Sequence, residues 1–536
     1  MQNFKERGIL LDVSRRGAMK ISQVKKFIDV MSRLEYNALL FYTEDMFEVE
    51  DQPYFGYMRG RYTGEQIKEL DAYAKEKGIE LIPCMQTLGH ITSIRRWQPY
   101  KEIFDTKDIL LVDEPKTYEF IESLFATLRK YYTTDRIHIG MDEAHQLGLG
   151  RYLDKHGYVN RFDLFRRHLN KVAEIAKKYG FKCMMWSDMF YKLLSGGQYY
   201  AYDLEVPENF EKTLPENIEL VYWDYWRTSK EHYQKMIKVN KKFGRKSIYG
   251  GNGGTTYTGF VPANAYSIQT LQAATPACIE EEVQGVYLTL WGDDGKECPY
   301  FAALPTLYAF SRFAKGECDM NYIKEGFEKE FGIPFDDFLE IDLPNTVDDQ
   351  PAIWNNPHRY SFYNDLFVGM FDSFVREGGK ELFESYALRL KKHCSNEEYG
   401  YIFRQVQALC EVLALKYDLG VRTRKAYQAG NKLVLKSLAE NEYTELLQKI
   451  HKFYDAFLEQ WNTENIPYGF EVHDARLGGL ERRVEHCKER LLSFVKGETE
   501  CIPELEEKIL DYLGEGAVPS KEQTKEPFWS TAIHVY

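Results

Sequence analysis

The sequence predicts an α/β fold, a (β/α)8 (TIM) barrel followed by an α-helical C-terminal domain. Three observations predict it. Short apolar runs alternate with amphipathic stretches eight times before residue 320. Nearly every run ends, on its C-terminal side, in a carboxylate, an arginine, a histidine or an aromatic residue. Beyond residue 320 the runs stop and helical spacing takes over. A doubly wound open sheet is the alternative for the first part. No GxGxxG follows the first run, which counts against its dinucleotide-binding version.

In order, the strand candidates are GILLDVSR from Gly8, NALLFYTED from Asn37, IELIPCMQ from Ile79 and RIHIGMDE from Arg136. They continue with KCMMWSDM from Lys182, IELVYWDY from Ile218, KSIYGGN from Lys246 and GVYLTLWGDD from Gly285. Each is continuously apolar rather than alternating, as parallel strands covered on both faces are. Between them, Ile21, Val24, Phe27, Ile28 and Met31 fall at helical spacing, as do Ile67, Leu70, Tyr73 and Ala74. Leu164, His168, Val172, Ile175 and Ala176 do the same before the fifth run. Gly78 and Gly180 stand where a helix C-cap precedes the next strand. The barrel is expected over residues 1–320 and a linker with turns over 321–350, where FGIPFDDFLEIDLPNTVDDQP lies. A mainly α-helical domain is expected over 351–536, with LGGLERRVEHCKERLLSF from Leu477 as one of its helices.

The chain has 536 residues, 44% of them apolar, and 18 prolines, so it has material for a core and is not of low complexity. A formal net charge of -13 without a basic block repels phosphate backbones and anionic headgroups, so neither nucleic acid nor membrane is an expected partner. No stretch approaches the roughly 20 consecutive apolar residues of a spanning helix. The opening MQNFKERGILLDVSRRGAMK reaches Asp12 and Arg15 without the apolar region of a secretory signal. Nine scattered cysteines without a CxxC pair read as reduced thiols. The expected location is cytoplasmic.

The densest chemistry is HIGMDEAH, His138 to His145, at the end of the fourth run. Adjacent carboxylates Asp142 and Glu143 repel if both ionise in a partly dry pocket, which suits a general acid beside a charged orienting group. Two other readings stay open for these residues. Acids also favour a solvated helix N-terminus, and His138, Asp142, Glu143 and His145 have the side chains of a metal site. No second cluster with ligand spacing accompanies them, so no metal or other cofactor is expected. Trp186, Trp223, Trp226 and Trp291 fall at the ends of the fifth, sixth and eighth runs. Any one of them is explained as core filling. Four beside carboxylates make an aromatic-walled pocket of the kind that stacks on sugar rings. The glycine-rich YGGNGGTTYTG lacks the lysine and spacing of a phosphate loop and reads as pocket wall. Carboxylates and aromatics without a phosphate cradle point to carbohydrate.

At this point the residues resemble a known family. HIGMDE resembles the H-x-G-x-D-E signature of glycoside hydrolase family 20, the β-N-acetylhexosaminidases. LDVSRR is similar to the family's first-strand segment and gives Arg15; TEDMF gives Asp45, and QTLGH gives His90. MMWSDM supplies Trp186, YWDYW supplies Trp223, Tyr225 and Trp226, and LWGDD supplies Trp291 and Asp293. The resemblance covers residues 8 to 315. Among the family's members the expected type is one without an N-terminal α/β domain before the barrel, since Asp12 and Arg15 come early in the sequence. Gln86 replaces an acidic residue, Leu88 a proline, and the seventh run lacks the usual tyrosine-x-aspartate. It looks like the shorter, intracellular-type subgroup.

The resemblance implies an exo-acting, retaining, substrate-assisted reaction on terminal β-linked GlcNAc or GalNAc, without metal or organic cofactor. Glu143 would protonate the leaving oxygen, Asp142 would hold the acetamido N–H, and Tyr225 would bond the acetamido oxygen. Trp186, Trp226 and Trp291 would wall in the methyl group, with Trp223 beside them. Arg15 and Asp293 would bind ring hydroxyls, together with Asp45, and His90 and His138 would orient the carboxylates. For His138 a purely structural role inside the strand is an equal reading. Two rivals remain: a conventional two-carboxylate glycosidase using Asp188 or Asp224 with Glu143, and a non-catalytic sugar-binding barrel. Arg59 and Arg61 follow the second run, at the pocket rim or in a solvated loop. WNNPHRY and YNDLFVGMFD suit helix packing or the contact of a homodimer.

Overall fold

The computed structural model describes residues 4–244, 247–252, 254–347, 356–512 and 514–515. Eight strands, β1 (Glu6–Asp12), β2 (Ala38–Tyr42), β3 (Glu80–Cys84), β4 (Arg136–His138), β5 (Lys182–Trp186), β6 (Ile218–Asp224), β7 (Ser247–Asn252) and β8 (Gly285–Leu290), close into a barrel in sequence order. Every neighbouring pair is parallel, and β8 returns to β1. All eight runs read from the sequence are therefore strands.

Covering the outer face of the barrel requires helices, and the amphipathic stretches supply them. Helix Ile21–Arg33 buries Val24, Phe27, Ile28 and Met31, and helix Gly64–Glu76 buries Ile67, Leu70 and Ala74. Helix Arg161–Lys178 buries Leu164, His168, Val172, Ile175 and Ala176. Gly78 and Gly180 follow two of these helices at φ of 76° and 75°, the left-handed conformation that ends a helix without a Cβ clash.

Inside the barrel, alternate residues of facing strands meet. Leu10 is in register with Leu40 and Leu40 with Ile82, and these join Met184, Val221 and Ile248 in one buried cluster. Two glycines make this filling fit. A Cβ on Gly8 would stand 2.3 Å from the Tyr287 ring, and one on Gly250 would stand 2.8 Å from the Trp186 ring. At the N-terminal ends of the strands Arg136 bonds Glu6 at 2.9 Å and Glu80 at 3.2 Å, with Tyr287 donating to Glu6 at 2.6 Å. This end carries structural charge pairing, which leaves the C-terminal ends for chemistry.

The chain forms two compact units. The barrel unit comprises residues 1–254, 267–291 and 306–323; the second comprises 255–266, 292–305 and the chain from 324 onward. The second unit is helical, its longest helices being Gly400–Lys416, Tyr443–Glu464 and Glu471–Lys496. Within it Glu464, fully buried, accepts the Tyr300 N–H at 2.6 Å and the Tyr401 hydroxyl at 2.7 Å. Buried Glu297 pairs with both Arg359 at 3.2 Å and Arg476 at 3.0 Å, so its own charge is not left alone in the interior.

The stretch expected as a linker is largely helical where described. Met320–Phe331, Phe335–Leu339 and the 3-10 turn Glu340–Asn345 follow one another almost without a break. Phe327, Phe331, Phe335 and Phe338 explain this, because they bury against one another as a cluster centred on Phe327. Residues 348–350 of that stretch, and Trp354 and Asn355 of WNNPHRY, lie outside the described residues. No helix among the described residues is long and apolar enough to cross a membrane.

Candidate active site

The candidate site residues gather at and beyond the C-terminal ends of the strands, and past those ends the backbone leaves the extended conformation. Glu44, His90 and Glu143 all take left-handed φ, of 45°, 57° and 51°. Such conformations cost an L-residue roughly 1–2 kcal/mol each and cluster where function demands a particular side-chain direction.

Contacts among these residues close a ring around the barrel mouth. Arg15, after β1, lies 3.2 Å from Glu44, which also accepts the Tyr42 hydroxyl at 3.0 Å. Gln86 donates to both Tyr42 Oη, at 3.1 Å, and Asp142 Oδ1, at 2.8 Å. Its own carbonyl accepts the Met141 N–H at 3.2 Å, so one amide ties β2, β3 and β4 together. His90 Nε2 faces Asp142 Oδ2 at 3.3 Å and Glu143 Oε2 at 3.6 Å. Tyr199 Oη stands 3.3 Å from Glu143 Oε1, and its ring meets Trp223 at 5.4 Å. Trp223 stacks on Tyr225 at 5.2 Å, and the Trp291 indole N–H donates to Tyr225 Oη at 3.2 Å. Trp291 then packs edge-on against Tyr42 at 5.0 Å and completes the circuit. Carboxylates hold one arc of it and aromatic rings the other.

Trp186 lies inside the ring, 99% buried, against Trp291 at 6.1 Å and His138 at 4.6 Å. Gly250 of β7 leaves the space its ring occupies. His138 is fully buried, its Nδ1 accepting the Gly140 N–H at 3.2 Å. Burial holds its imidazole down at about 3, hence neutral. Among the described residues no three His, Cys, Asp or Glu side chains stand together as a metal would need, so His138, Asp142, Glu143 and His145 do not form a metal cage.

The two adjacent carboxylates differ in surroundings. Asp142 is mostly buried, which alone would raise it, but His90 and the Gln86 amide hold it below the usual carboxylate range. His90 is pulled down by its own burial and raised more strongly by Asp142, to about 9, so the two form a charged pair. Glu143 is the more open, with 41% of its side chain exposed. Asp188 lies beneath it: Oδ2 accepts the Glu143 N–H at 3.0 Å, and burial followed by the Asp142 charge pushes this carboxyl well up. Asp224 points away from the barrel axis, bonded to His232 and, at 2.6 Å, to the Tyr222 hydroxyl. The alternation of β6 causes this, since Trp223 and Tyr225 take the inward side.

The structure thus brings Arg15, His90, Asp142, Glu143, Trp186, Trp223, Tyr225 and Trp291 together. Trp226 stands at the edge, T-shaped on Tyr225 at 5.4 Å. Asp45 is 1% exposed and paired with Arg59, which also bonds the Ser14 carbonyl; it is Glu44 that meets Arg15. Arg61 bonds the Pro53 and Phe55 carbonyls and braces the loop. Asp293 opens the helix Asp293–Lys296 of the second unit. Sequence reasoning missed Tyr42, Glu44 and Tyr199. The first two lie in a run already singled out, whereas Tyr199 comes from a loop with no motif.

Over residues 4–243 the chain matches the catalytic domain of glycosyl hydrolase family 20, and over residues 336–524 the glycoside hydrolase 20C C-terminal domain. It is similar to Hexosaminidase D of Homo sapiens, 23% identical over 63% of this chain and 70% of that protein. A beta-hexosaminidase of Akkermansia muciniphila is 25% identical over 26% of this chain, which spans only 34% of that relative's length. A beta-N-acetylhexosaminidase of known structure from Bacteroides fragilis NCTC 9343 aligns over 62% of this chain and 71% of its own, at 20% identity and a TM-score of 0.48. With a closed parallel barrel, paired carboxylates at its C-terminal mouth and both domain matches along its length, the chain belongs to glycoside hydrolase family 20.

Proposed function

We propose that the protein is an exo-acting β-N-acetylhexosaminidase, releasing terminal β-linked GlcNAc or GalNAc by a retaining, substrate-assisted mechanism. The observation that carries this reading is the placing of charge around the ring. Asp142 and Glu143 are neighbours on one arc, and Tyr225, Trp223 and Trp291 occupy the other. A conventional retaining enzyme needs a second carboxylate facing its acid across the glycosidic bond, about 5–5.5 Å away. Asp188 is engaged under the Glu143 backbone and Asp224 is turned out of the barrel. Asp12 is tied to Ser14 at 2.7 Å, and Glu44 to Arg15 and Tyr42. The names of the relatives, Hexosaminidase D and beta-hexosaminidase, support the same substrate class.

The chemistry follows from these surroundings. The acetamido carbonyl oxygen of the substrate attacks the anomeric carbon as the bond to the leaving oxygen breaks. Glu143 gives its proton to that oxygen. Asp142, held ionised by His90 and Gln86, accepts the acetamido N–H and stabilises the positive charge that develops on the oxazolinium ring. Tyr225 receives the Trp291 N–H on its oxygen and directs its own hydrogen to the acetamido oxygen. Trp186, Trp226 and Trp291 bound the methyl group, and Arg15 holds ring hydroxyls. Water then attacks the anomeric carbon from the face the leaving group vacated, returns a proton to Glu143 and releases the acetamido oxygen.

Release of nitrophenol from the β-GlcNAc, β-GalNAc and β-glucose nitrophenyl glycosides tests this. The expected result is turnover of the two acetamido sugars only, lost in Glu143→Ala. Equal turnover of the glucoside would overturn substrate assistance. Absence of turnover on all three would favour a sugar-binding barrel.

A further inference from the structure

Glu143 is the most exposed carboxylate of the ring, and Tyr199, in the loop after helix Asp188–Leu194, donates to its Oε1 at 3.3 Å. Behind that tyrosine stand three basic side chains. Lys192 Nζ rests 4.4 Å from the centre of the Tyr199 ring and 3.4 Å from His145 Nε2. The same imidazole nitrogen lies 2.8 Å from Tyr199 Oη. Arg161, the first residue of helix Arg161–Lys178, donates to the His145 carbonyl.

Acids do not match these cations as they do their neighbours. Arg166 and Arg167, further along the same helix, pair with Asp163 at 3.3 Å and Asp113 at 2.7 Å. Among the described residues Lys192 and Arg161 reach no carboxylate. Lys192 meets a ring and an imidazole, and Arg161 a backbone carbonyl, its buried Nε left without a partner. Both groups carry donors and no acceptor. The acids that act on Lys192 are Glu143 and Asp188. Neither supplies a counter-charge when substrate binds. Glu143 then carries its proton as general acid, while burial and then the Asp142 charge push Asp188 toward its neutral form. Burial, Lys192, His90 and Arg161 pull the His145 imidazole below its ordinary value, and Asp108 offsets part of this. Positive charge thus exceeds negative at this part of the rim, in a chain whose formal net charge is -13.

Position fixes what the excess charge meets. In exo cleavage the terminal sugar fills the ring, and everything beyond the leaving oxygen extends past Glu143 toward solvent. Lys192 is half-buried and His145 exposed, both beside Glu143 and outside the circuit of contacts that closes the ring. We propose that Lys192, backed by Arg161 and His145, forms a leaving-group subsite for an anionic substituent, a carboxylate or a sulfate ester, on the group to which the N-acetylhexosamine is linked. This rests on the reading of Glu143 as the general acid. Such a substituent supplies the counter-charge that the protein itself does not, which favours acidic glycans over neutral ones with the same terminal sugar.

The test measures kcat/KM on aryl β-glycosides of whichever acetamido sugar, GlcNAc or GalNAc, is released faster. The aglycones are 3- and 4-hydroxybenzoate, 4-hydroxybenzenesulfonate as a stand-in for a sulfate ester, and neutral 4-hydroxybenzamide. Each anionic glycoside is expressed as a ratio to the neutral one, and each variant's ratio is divided by that of wild type, so that differences in leaving-group acidity cancel. Lys192→Met keeps a stem against the Tyr199 ring, and a thermal melt checks that it folds. The expected result is a ratio lowered roughly three- to tenfold in Lys192→Met, less in Arg161→Met and more in Lys192→Glu, as for a partly exposed charge contact. About 1 M sodium chloride should bring the wild-type ratio toward that of Lys192→Met. Arg167→Met, which removes an equal charge already paired with Asp113, should leave the ratio at the wild-type value. Loss confined to the benzoates marks a carboxylate, loss confined to the sulfonate a sulfate, and loss on both a site that reads charge alone. Ratios unchanged in Lys192→Met and Lys192→Glu, or lowered equally by Arg167→Met, would overturn the subsite and leave the hexosaminidase reading intact. Failure of wild type to turn over any acetamido glycoside, the benzamide included, would overturn that reading and the subsite with it.

Discussion

Asp188 Oδ2 accepts the backbone N–H of Glu143 at 3.0 Å, so a buried carboxyl at the end of β5 holds the peptide that carries the most exposed carboxylate at the end of β4. Glu143 has φ of 51°, a conformation that β4 alone would not impose. Removing Asp188 leaves a partly buried N–H without this acceptor, a cost of about 1 kcal/mol. Asp188→Ala should therefore lower stability by that amount and reduce kcat with little change in KM. Asp188→Asn keeps a carbonyl oxygen there and should retain most of both. Denaturant unfolding with steady-state kinetics checks this, and equal damage from the two substitutions would show that the charge, not the hydrogen bond, matters.

Gly250 makes room for Trp186. A methyl group there would stand 2.8 Å from the indole, too close for a ring that is almost fully buried. Gly250→Ala should cost about 1–3 kcal/mol of stability and raise KM for N-acetyl sugars by displacing the ring. A thermal melt and a KM determination read both. An unchanged KM would mean that Trp186 does not line the sugar site.

His90 and Asp142 make stability depend on pH with a defined sign. His90 titrates at about 9 in the folded protein, above its ordinary 6.5, since Asp142 more than offsets the effect of burial. Its contribution is therefore complete below about pH 6.5 and is lost as pH rises through 9. Asp142 lies below its ordinary value, so its contribution holds above about pH 4 and is lost on further acidification. Wild type should lose about 1–3 kcal/mol relative to His90→Gln between pH 6.5 and 9.5. Unfolding curves across that range decide it; a constant difference between the two proteins would argue against the ion pair.

Trp291 links the aromatic arc to Tyr225 through one hydrogen bond of 3.2 Å. Trp291→Phe keeps a ring against Tyr42 and removes the donor together with part of the indole surface. A loss of about 0.5–1.5 kcal/mol in transition-state binding, or roughly two- to tenfold in kcat/KM, is expected on acetamido substrates. A loss many times larger would show that the indole itself carries the binding.

The barrel was legible because its strands are buried on both faces, so each appears as an unbroken apolar run with its polar residues crowded at one end. His90, Asp142, Glu143 and the tryptophans follow those runs directly. Tyr199 was not legible, because it lies 13 residues beyond Trp186 in a stretch without periodicity. The helices at 320–345 were missed for a related reason: proline, glycine and paired aspartates read as turns, while the clustering of Phe327, Phe335 and Phe338 is visible only in space.

By itself, then, the sequence determined the strand order, the end of the barrel that carries the chemistry and the residue types gathered there. These follow from local burial and from the parallel topology that burial on both faces requires. Which neighbour performs which task was decided by the tertiary structure. Asp224 faces outward while Trp223 and Tyr225 face in, and Glu44 rather than Asp45 meets Arg15. Tyr199, from the loop beyond β5, reaches Glu143 beyond the neighbouring β4. The physical reason is that strand alternation ends where the chain turns into left-handed backbone, as at Glu44, His90 and Glu143. Beyond that point a side chain's direction is set by the partners that barrel closure brings to it.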